Sequence, residues 1–154
     1  MRDPAALMRP DRYQVFLMTS PANGPLAFAA HAWFVVNRMG ELSRWEITFQ
    51  KRHRSLSWGH LNKDLFPFFS GIEVFPYLPR PLWKGRCLGL LEGGEDSDAK
   101  RMADLIVDSL RAYPYVNTYS LLGPNSNTYA QWVIDKFPEC GWQLPWNAFG
   151  KKGR

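Results

Sequence analysis

The stretch from residue 28 to residue 38 constrains the fold more than any other part of this sequence. It contains the run from His31 to Val36, in which apolar side chains occupy both alternating faces. A strand with one face in water alternates apolar and polar residues, whereas a strand covered on both faces is apolar on both. The run therefore predicts the central strand of a sheet, with His31 near the start of that strand.

Two further strands are predicted, one before and one after this stretch. Residues 13–18 are largely apolar and are followed by the turn-forming residues 20–25. Residues 44–50 alternate, with Trp45, Ile47 and Phe49 on one face and Arg44, Glu46 and Thr48 on the other. Because only residues 39–43 connect this stretch to the central strand, we expect the two to pair antiparallel.

The middle of the chain is predicted to contain short strands or ordered loops. Prolines at positions 67, 76, 79 and 81 interrupt the apolar runs between His53 and Leu82. One more strand is expected at residues 87–91, before the glycine pair at positions 93 and 94.

Two amphipathic helices are predicted in the second half of the chain. The first begins after Asp96 or Ser97, either of which can cap it, and ends at Pro114. Its apolar residues recur at spacings of three and four: Ala99, Met102, Ala103, Ile106 and Leu110. The second is expected from about residue 125 to residue 137, with these residues on its buried face: Tyr129, Trp132, Val133 and Phe137.

The order of these elements, strands first and then helix, loop and helix, predicts an α+β fold. A chain of 154 residues has the size of one domain. We therefore expect a single domain over residues 13–150, in which an antiparallel sheet packs with two main helices. It would be flanked by a loose N-terminal tail (1–12) and a short C-terminal tail (151–154).

Composition and charge narrow the functional classes. With 45% hydrophobic and 21% charged residues, the chain is unlike a disordered one. Its net charge of +5 is compatible with an anionic partner, and Lys51, Arg52 and Arg54 form the densest basic stretch. A nucleic-acid-binding module is retained as an alternative on that basis, although no recognition helix, zinc finger or repeat favours nucleic acid as a partner.

The cysteines and the hydropathy pattern bear on the cellular setting. Cys87 and Cys140 lie far apart without Cys-x-x-Cys spacing, which indicates neither a zinc knuckle nor a disulfide framework. No signal-peptide pattern and no apolar stretch of membrane-spanning length is recognisable. The sequence thus predicts a cytoplasmic protein without a membrane span.

The only concentrated chemical signal is the run Gly123-Pro124-Asn125-Ser126-Asn127-Thr128, at the start of the second predicted helix. Asn and Ser are favoured at helix starts because their side chains accept hydrogen bonds from free backbone N–H groups, so Asn125 or Ser126 could simply cap the helix. Alternatively, those N–H groups and the helix dipole could stabilise an oxyanion beside Ser126 acting as a nucleophile. Both interpretations remain open at this point.

A serine nucleophile needs a base, since its hydroxyl reacts poorly at neutral pH unless a histidine accepts the proton. His31 is the candidate base, because three small alanines around it leave room for a substrate. His60 is the candidate third residue that orients His31, and His53, among basic residues, is expected in solvent. Nucleotide-loop and zinc-protease motifs are absent and the histidines show no ligand spacing, so no cofactor and no metal is predicted.

Several segments together resemble a bacterial family. They are His31–Val36, Tyr113-Pro114-Tyr115, residues 123–129 with Trp132-Val133, and Ala148–Lys151. These segments resemble the uncharacterised family called domain of unknown function thirty-seven-fifty, and the resemblance covers nearly the whole chain from about Phe28. The family has no established activity for the resemblance to imply.

More distantly, the arrangement is similar to circularly permuted papain-like folds of the NlpC/P60 type. In those folds a strand histidine precedes a helix that opens with a nucleophilic cysteine. His31 matches the histidine and Ser126 matches the cysteine. The resemblance implies a hydrolase or acyltransferase that acts on amide or ester bonds through Ser126, His31 and His60. Ser126 departs from the cysteine of those folds: a helix N-terminus and a histidine can convert a cysteine thiol into a thiolate, but they cannot ionise a serine hydroxyl in this way.

If catalysis has been lost, the alternative is a ligand- or peptide-binding domain. A small molecule or peptide would then be held by polar residues at the helix start and by an aromatic residue of the central strand. The candidate binding residues are Asn125, Asn127, Thr128 and Trp33.

Overall fold

An antiparallel sheet of six strands forms the centre of the fold. A computed structural model describes residues 3–49 and 55–152 of the chain. The strands are β1 (Tyr13–Pro21), β2 (Ala30–Arg38), β3 (Glu41–Ile47), β4 (Ser57–Trp58), β5 (Leu61–Lys63), β6 (Ser70–Glu73), β7 (Leu82–Lys84) and β8 (Arg86–Gly93). The main sheet has the order β4-β5-β3-β2-β1-β8 with antiparallel neighbours throughout, while β6 and β7 form a separate hairpin.

β2 is the central strand that the sequence predicts. In its register with β1, Val36 lies opposite Val15, and in its register with β3, Phe34 lies opposite Trp45. Every residue of β2 before Arg38 is buried. Side chains at the even positions from 30 to 36 pack into one hydrophobic cluster, whereas those at positions 33 and 35 pack into a second cluster on the opposite face. The expectation of a strand covered on both faces is confirmed.

Helices cover the first face of the sheet. They are α1 (Asp98–Val107), α2 (Ser109–Ala112) and α3 (Ser126–Asp135), and 3-10 helices lie at Pro4–Leu7 and Pro138–Cys140. Met102 and Ile106 of α1, and Tyr129 and Val133 of α3, are completely buried in the cluster on this face. Burial of one large apolar side chain stabilises a fold by about 1.5–3 kcal/mol. The buried side chains of α1 and α3 therefore hold both helices on the sheet.

The two predicted helices are present, with one correction to the first. Ser97 caps α1 by accepting a hydrogen bond from the backbone N–H of Lys100 at 3.2 Å. The helix is interrupted at Asp108, and α2 begins at the next residue. The interruption changes the helical phase, so Ser109 is completely buried and Leu110 is 44% exposed. The expectation that Leu110 lies on the buried face is wrong for this reason.

The second face of the sheet is covered by residues 64–85, which contain the β6–β7 hairpin, and by the N-terminal 3-10 helix. The hydrophobic cluster on this face consists of Phe16, Met18, Trp33 and Val35, with Leu7, Met8, Phe68 and Phe69 among the side chains packed against it. The indole Nε1 of Trp33 donates to the carbonyl of Phe68 at 2.9 Å. Because this layer is present, the polar face of β3 is also enclosed: Arg44 and Glu46 are completely buried.

The segments that the sequence predicts as tails make contacts with the domain. Gln14 Nε2 donates to the carbonyl of Leu7 and Asn37 Nδ2 to that of Arg9, each at 2.8 Å. At the other end, the Lys151 ammonium donates to backbone carbonyls of residues 144 and 145. The basic stretch 51–54, with His53, lies outside the described residues.

Two further expectations concern the cysteines and a membrane span. Cys87 and Cys140 are both free thiols. In the described part of the chain, no helix is both long enough and apolar enough to cross a membrane. The cytoplasmic location stays a prediction.

Candidate functional site

The run from Gly123 to Thr128 forms a capping box at the start of α3. The side-chain oxygen of Asn125 accepts hydrogen bonds from the backbone N–H groups of Asn127, at 3.0 Å, and Thr128, at 3.3 Å. In return, the Thr128 hydroxyl accepts from the backbone N–H of Asn125 at 3.0 Å. Asn125 is therefore the helix cap, and the N–H groups of residues 127 and 128, which the catalytic hypothesis requires as oxyanion donors, already have partners.

The same side chains also attach the C-terminal segment to the rest of the fold. The amide nitrogens of Asn125 and Asn127 both donate to the carbonyl of Phe149, at 3.1 and 3.0 Å, and Asn127 also donates to the carbonyl of Ala30 at 2.8 Å. The Thr128 hydroxyl donates to the carbonyl of Gly150 at 2.7 Å. We call this set of hydrogen bonds the C-terminal clamp, since it joins α3, β2 and residues 149–150.

Gly150 shows how closely the clamp is packed. Its backbone φ of 88° lies in the left-handed region that L side chains rarely adopt. A Cβ atom at this position would lie 2.6 Å from the side-chain nitrogen of Asn125. Both the conformation and the close approach require glycine here, which accounts physically for the Phe-Gly-Lys sequence near the C-terminus.

Ser126 is the member of the run without a role in the clamp. It is 6% exposed, at the first position of α3. Among the described residues, none lies within hydrogen-bonding distance of its hydroxyl in suitable geometry. Its side chain is thus neither the helix cap nor a tie to the C-terminal segment.

His31 lies on the other face of the sheet. Ala30 and Ala32 belong to the cluster under the helices, so the alternation of β2 directs the intervening His31 away from α3. The imidazole stacks on Trp33, with ring centroids 5.9 Å apart, and its Nε2 lies 2.6 Å from Oε2 of Glu46. In the described structure no hydrogen bond joins His31 to Ser126.

Glu46 is held between His31 and Arg44. Arg44 Nε donates to Glu46 Oε1 at 2.7 Å and Nη2 donates to Oε2 at 3.1 Å. The remaining guanidinium nitrogen, Nη1, donates to the carbonyls of Pro67 and Ser70, and the guanidinium carbon lies 4.2 Å from the ring centre of Trp33. The completely buried carboxylate of Glu46 is tolerated because the Arg44 guanidinium and the His31 imidazole both form hydrogen bonds with it.

The electrostatics of this buried network follow from its geometry. Burial raises the pKa of Glu46, but the Arg44 charge and the His31 hydrogen bond outweigh burial and lower that pKa to about 2. Sequence analysis missed Arg44 and Glu46 because they alternate with apolar residues, as solvent-facing residues do. The sequence did contain one signal for their burial. Positions 44 and 46 lie on the same face of a strand, and the neighbouring strand is apolar on both faces.

The remaining candidate residues lie elsewhere. His60 is in the turn between β4 and β5, where its Nδ1 donates to the carbonyl of Thr48 at 3.2 Å and its ring packs against Phe49 and Tyr119. The structure thus joins His31 to Glu46 and not to His60. Trp33 is completely buried and cannot line an open surface. In the ranges that the structure describes, no three His, Cys, Asp or Glu side chains are grouped to hold a metal ion.

A cavity of about 310 Å³ opens where β1 and β2 meet the chain between β7 and β8. Its polar lining consists of Thr19, Ser20, Lys84, Arg86 and Asn147, and its apolar walls are Pro21, Ala27, Ala30 and Pro145. Neither basic side chain forms an ion pair with another described residue. Sequence analysis did not find this cavity, because its lining comes from four separate segments.

The lowered pKa of Glu46 predicts acid sensitivity. The unfolded chain binds the proton near the ordinary pKa of 4.5 and the folded chain only near 2, so the stability from this carboxylate is complete above about pH 5 and is lost as the pH falls towards 2. The loss should be about 3 kcal/mol. The free energy of unfolding in urea should therefore fall by about 3 kcal/mol less on acidification in Glu46→Gln than in Glu41→Gln. Glu41 serves as the exposed control on β3. Equal pH dependence in both variants, or an ordinary Glu46 pKa by carboxyl-carbon NMR, would contradict the prediction.

The clamp predicts unequal effects of two neighbouring substitutions. Asn125→Ala removes the helix cap and the hydrogen bond to Phe149, and should lower the free energy of unfolding by about 2 kcal/mol. Ser126→Ala removes a hydroxyl without a partner and should change it by less than about 0.5 kcal/mol. Urea denaturation of both variants checks this. A Ser126→Ala loss as large as that of Asn125→Ala would show that the hydroxyl has a structural role.

Comparison with known proteins supports part of the resemblance described above. No curated protein and no solved structure matches the chain significantly, so the papain-like relationship has no support from a relative. A family model described as "Protein of unknown function (DUF3750)" matches residues 13–152. That range begins with β1 and contains the whole sheet, all three α-helices, the buried network and the C-terminal clamp. The chain therefore belongs to the DUF3750 family of proteins of unknown function.

Proposed function

We propose that this domain binds a small anionic ligand, with a carboxylate or phosphate group, in the cavity next to Lys84 and Arg86. The observation that carries the proposal is that two basic side chains line one cavity and that neither forms an ion pair with another described residue. Such cations attract an anion, because no carboxylate in the described part of the chain pairs with them. The cavity lies at the small end of the range of ligand pockets, which run from about 300 to 1,000 Å³.

The backbone between β7 and β8 supports the proposal by placing the two cations side by side. Lys84 is the last residue of β7 and Arg86 is the first residue of β8, so a single residue separates them, and both line the cavity. Gly85 between them lies against the backbone of Phe69: a Cβ atom there would be 2.1 Å from the Phe69 carbonyl oxygen. Arg86 is opposite Thr19 in the β1–β8 register. The planar guanidinium of arginine suits the paired oxygens of a carboxylate or phosphate.

The other polar groups of the cavity are already used as donors. Thr19 Oγ1 donates to the carbonyl of His31, Ser20 Oγ to that of Pro21, and Asn147 Nδ2 to that of Phe28. The charge of the ligand would therefore be recognised by Lys84 and Arg86. The alanine and proline walls suit an apolar part of the same ligand, so a small organic anion fits better than an inorganic ion.

Binding is proposed in preference to hydrolysis because the catalytic hypothesis lacks its central contact. A serine nucleophile must lie within about 2.6–3.2 Å of its base, or one water away. Ser126 is the first residue of α3, which covers one face of the sheet, whereas the His31 side chain lies on the opposite face and is hydrogen-bonded to Glu46. The clamp also uses the side chains of Asn125 and Thr128 and the amide nitrogen of Asn127, which the peptide-binding alternative would need.

The proposal predicts saturable anion binding that depends on the cavity. Titration with acetate and with inorganic phosphate, followed by amide NMR, should shift the signals of Thr19, Ser20 and Arg86. In Lys84→Ala/Arg86→Ala the affinity should fall roughly tenfold or more. The control Arg111→Ala/Lys136→Ala removes the same charge at exposed positions away from the cavity and should retain the shifts. Equal weakening in both double variants would show that only net charge matters and would contradict the proposal.

The catalytic alternative makes a separate prediction. If binding is the function, a fluorophosphonate probe that labels activated serines should not label Ser126, because no base among the described residues is hydrogen-bonded to its hydroxyl. The measurement is mass spectrometry of the labelled protein with Ser126→Ala as the control. Labelling of the wild type that is lost in both Ser126→Ala and His31→Ala would restore the hydrolase hypothesis.

A further inference from the structure

Five large apolar side chains are exposed at one end of the molecule, and we call this group the apolar tip. Its members and their exposed fractions are Phe28 (65%), Leu121 (60%), Leu122 (82%), Trp146 (82%) and Phe149 (39%). They come from three segments that are distant in sequence: the β1–β2 connection, the turn before α3 and the C-terminal segment. Single exposed apolar residues are ordinary, but a group of this kind marks an interaction surface.

The C-terminal clamp and two further hydrogen bonds hold these three segments together. Asn125 Nδ2 donates to the carbonyls of both Leu121 and Phe149, at 3.0 and 3.1 Å. Asn147 Nδ2 donates to the carbonyl of Phe28 at 3.0 Å. The ring of Phe149 lies 6.2 Å from that of Phe28, and Trp146 lies 6.5 Å from Phe149. The tip is therefore one surface on a fixed base, although its side chains come from three separate segments.

The charged side chains next to the tip are mainly basic. The tip residues lie in segments 22–29, 113–125 and 141–152, and none of these segments contains Asp or Glu. Lys84 and Arg86 line the neighbouring cavity, and Lys151 and Lys152 follow the clamp. The β6–β7 hairpin adds one carboxylate, Glu73, which is only partly exposed. This excess of basic side chains favours a negatively charged partner.

We propose that the apolar tip docks on the surface of an anionic lipid bilayer. Leucine and aromatic side chains on separate loop ends can each enter the headgroup region, and tryptophan is favoured at that depth because its ring is amphipathic. The lysines and arginine alongside would face the lipid phosphates, where each contributes on the order of 1 kcal/mol. Five side chains projecting from three loop segments suit insertion into a soft surface better than they suit a complementary protein face. This inference goes beyond the ligand-binding proposal and does not rest on it.

Vesicle co-sedimentation tests the docking. Wild-type protein should bind vesicles of phosphatidylcholine mixed with phosphatidylglycerol, and bind vesicles of phosphatidylcholine alone much less. Leu122→Ser/Trp146→Ser alters the two most exposed members, and the partition coefficient should fall roughly tenfold. The control Met39→Ser/Leu110→Ser removes two exposed apolar side chains outside the tip and should bind as the wild type does. Circular dichroism and thermal unfolding confirm that both variants are folded.

Three results would overturn the proposal. The first is a wild-type protein that does not bind anionic vesicles, which would assign the tip to a protein partner. The second is vesicle binding that Leu122→Ser/Trp146→Ser leaves unchanged, since attraction would then be electrostatic alone. The third is equal loss in the control variant. Because neither Leu122 nor Trp146 lines the cavity, Leu122→Ser/Trp146→Ser should keep the anion-induced NMR shifts, so failure of docking and failure of ligand binding are separable.

Discussion

The fold depends on one constraint: β2 is buried on both faces. A sheet whose central strand presents apolar side chains on both sides must be covered by two layers. Helices α1 and α3 supply one layer, and residues 64–85 with the N-terminal 3-10 helix supply the other. The second layer encloses not only Trp33 but also the polar side chains of β3. It is this enclosure that turns Arg44 and Glu46 into a buried ion pair.

The polar residues that look most chemical in the sequence mainly maintain structure. Asn125, Asn127 and Thr128 cap α3 and hold the C-terminal segment, and His31 pairs with a buried carboxylate. Buried polar groups need partners, so a packed domain with few charged residues concentrates its hydrogen bonds at such points. The papain-like hypothesis paired His31 with Ser126 at the helix start because both are polar residues in apolar surroundings. In the fold, the sheet lies between them.

The surfaces proposed for binding share one end of the domain because the clamp brings their segments there. The clamp joins α3 to Ala30 and to residues 149–150, and the same segments carry the cavity wall and the exposed aromatic rings. The basic side chains at this end would attract both a soluble anion in the cavity and an anionic bilayer under the tip. The two surfaces are nevertheless distinct in chemistry, since the cavity offers paired cations and the tip offers apolar side chains.

The sequence by itself determined the α+β class, the central position of β2, the order of strands and helices, and a capped helix start at residues 125–126. These features are local: they follow from side-chain periodicity and from the preferences of Ser, Asn and Pro at helix ends. Periodicity also indicated that positions 44 and 46 share a face, but it carried no information on whether that face is covered. Coverage of that face depended on residues 64–85, in which prolines interrupt the hydrophobic periodicity.

Only the tertiary structure decided which polar residues meet. His31 and Ser126 are separated by 95 positions in the chain, and one step along a strand reverses the direction of a side chain, so their partnership could not be read from spacing. The pairing of His31 with Glu46, the cavity beside Lys84 and Arg86, and the apolar tip each combine residues from separate elements. Such groups exist only once the sheet register and the packing of both layers bring distant segments together, which is why the sequence could suggest their chemistry but not their assembly.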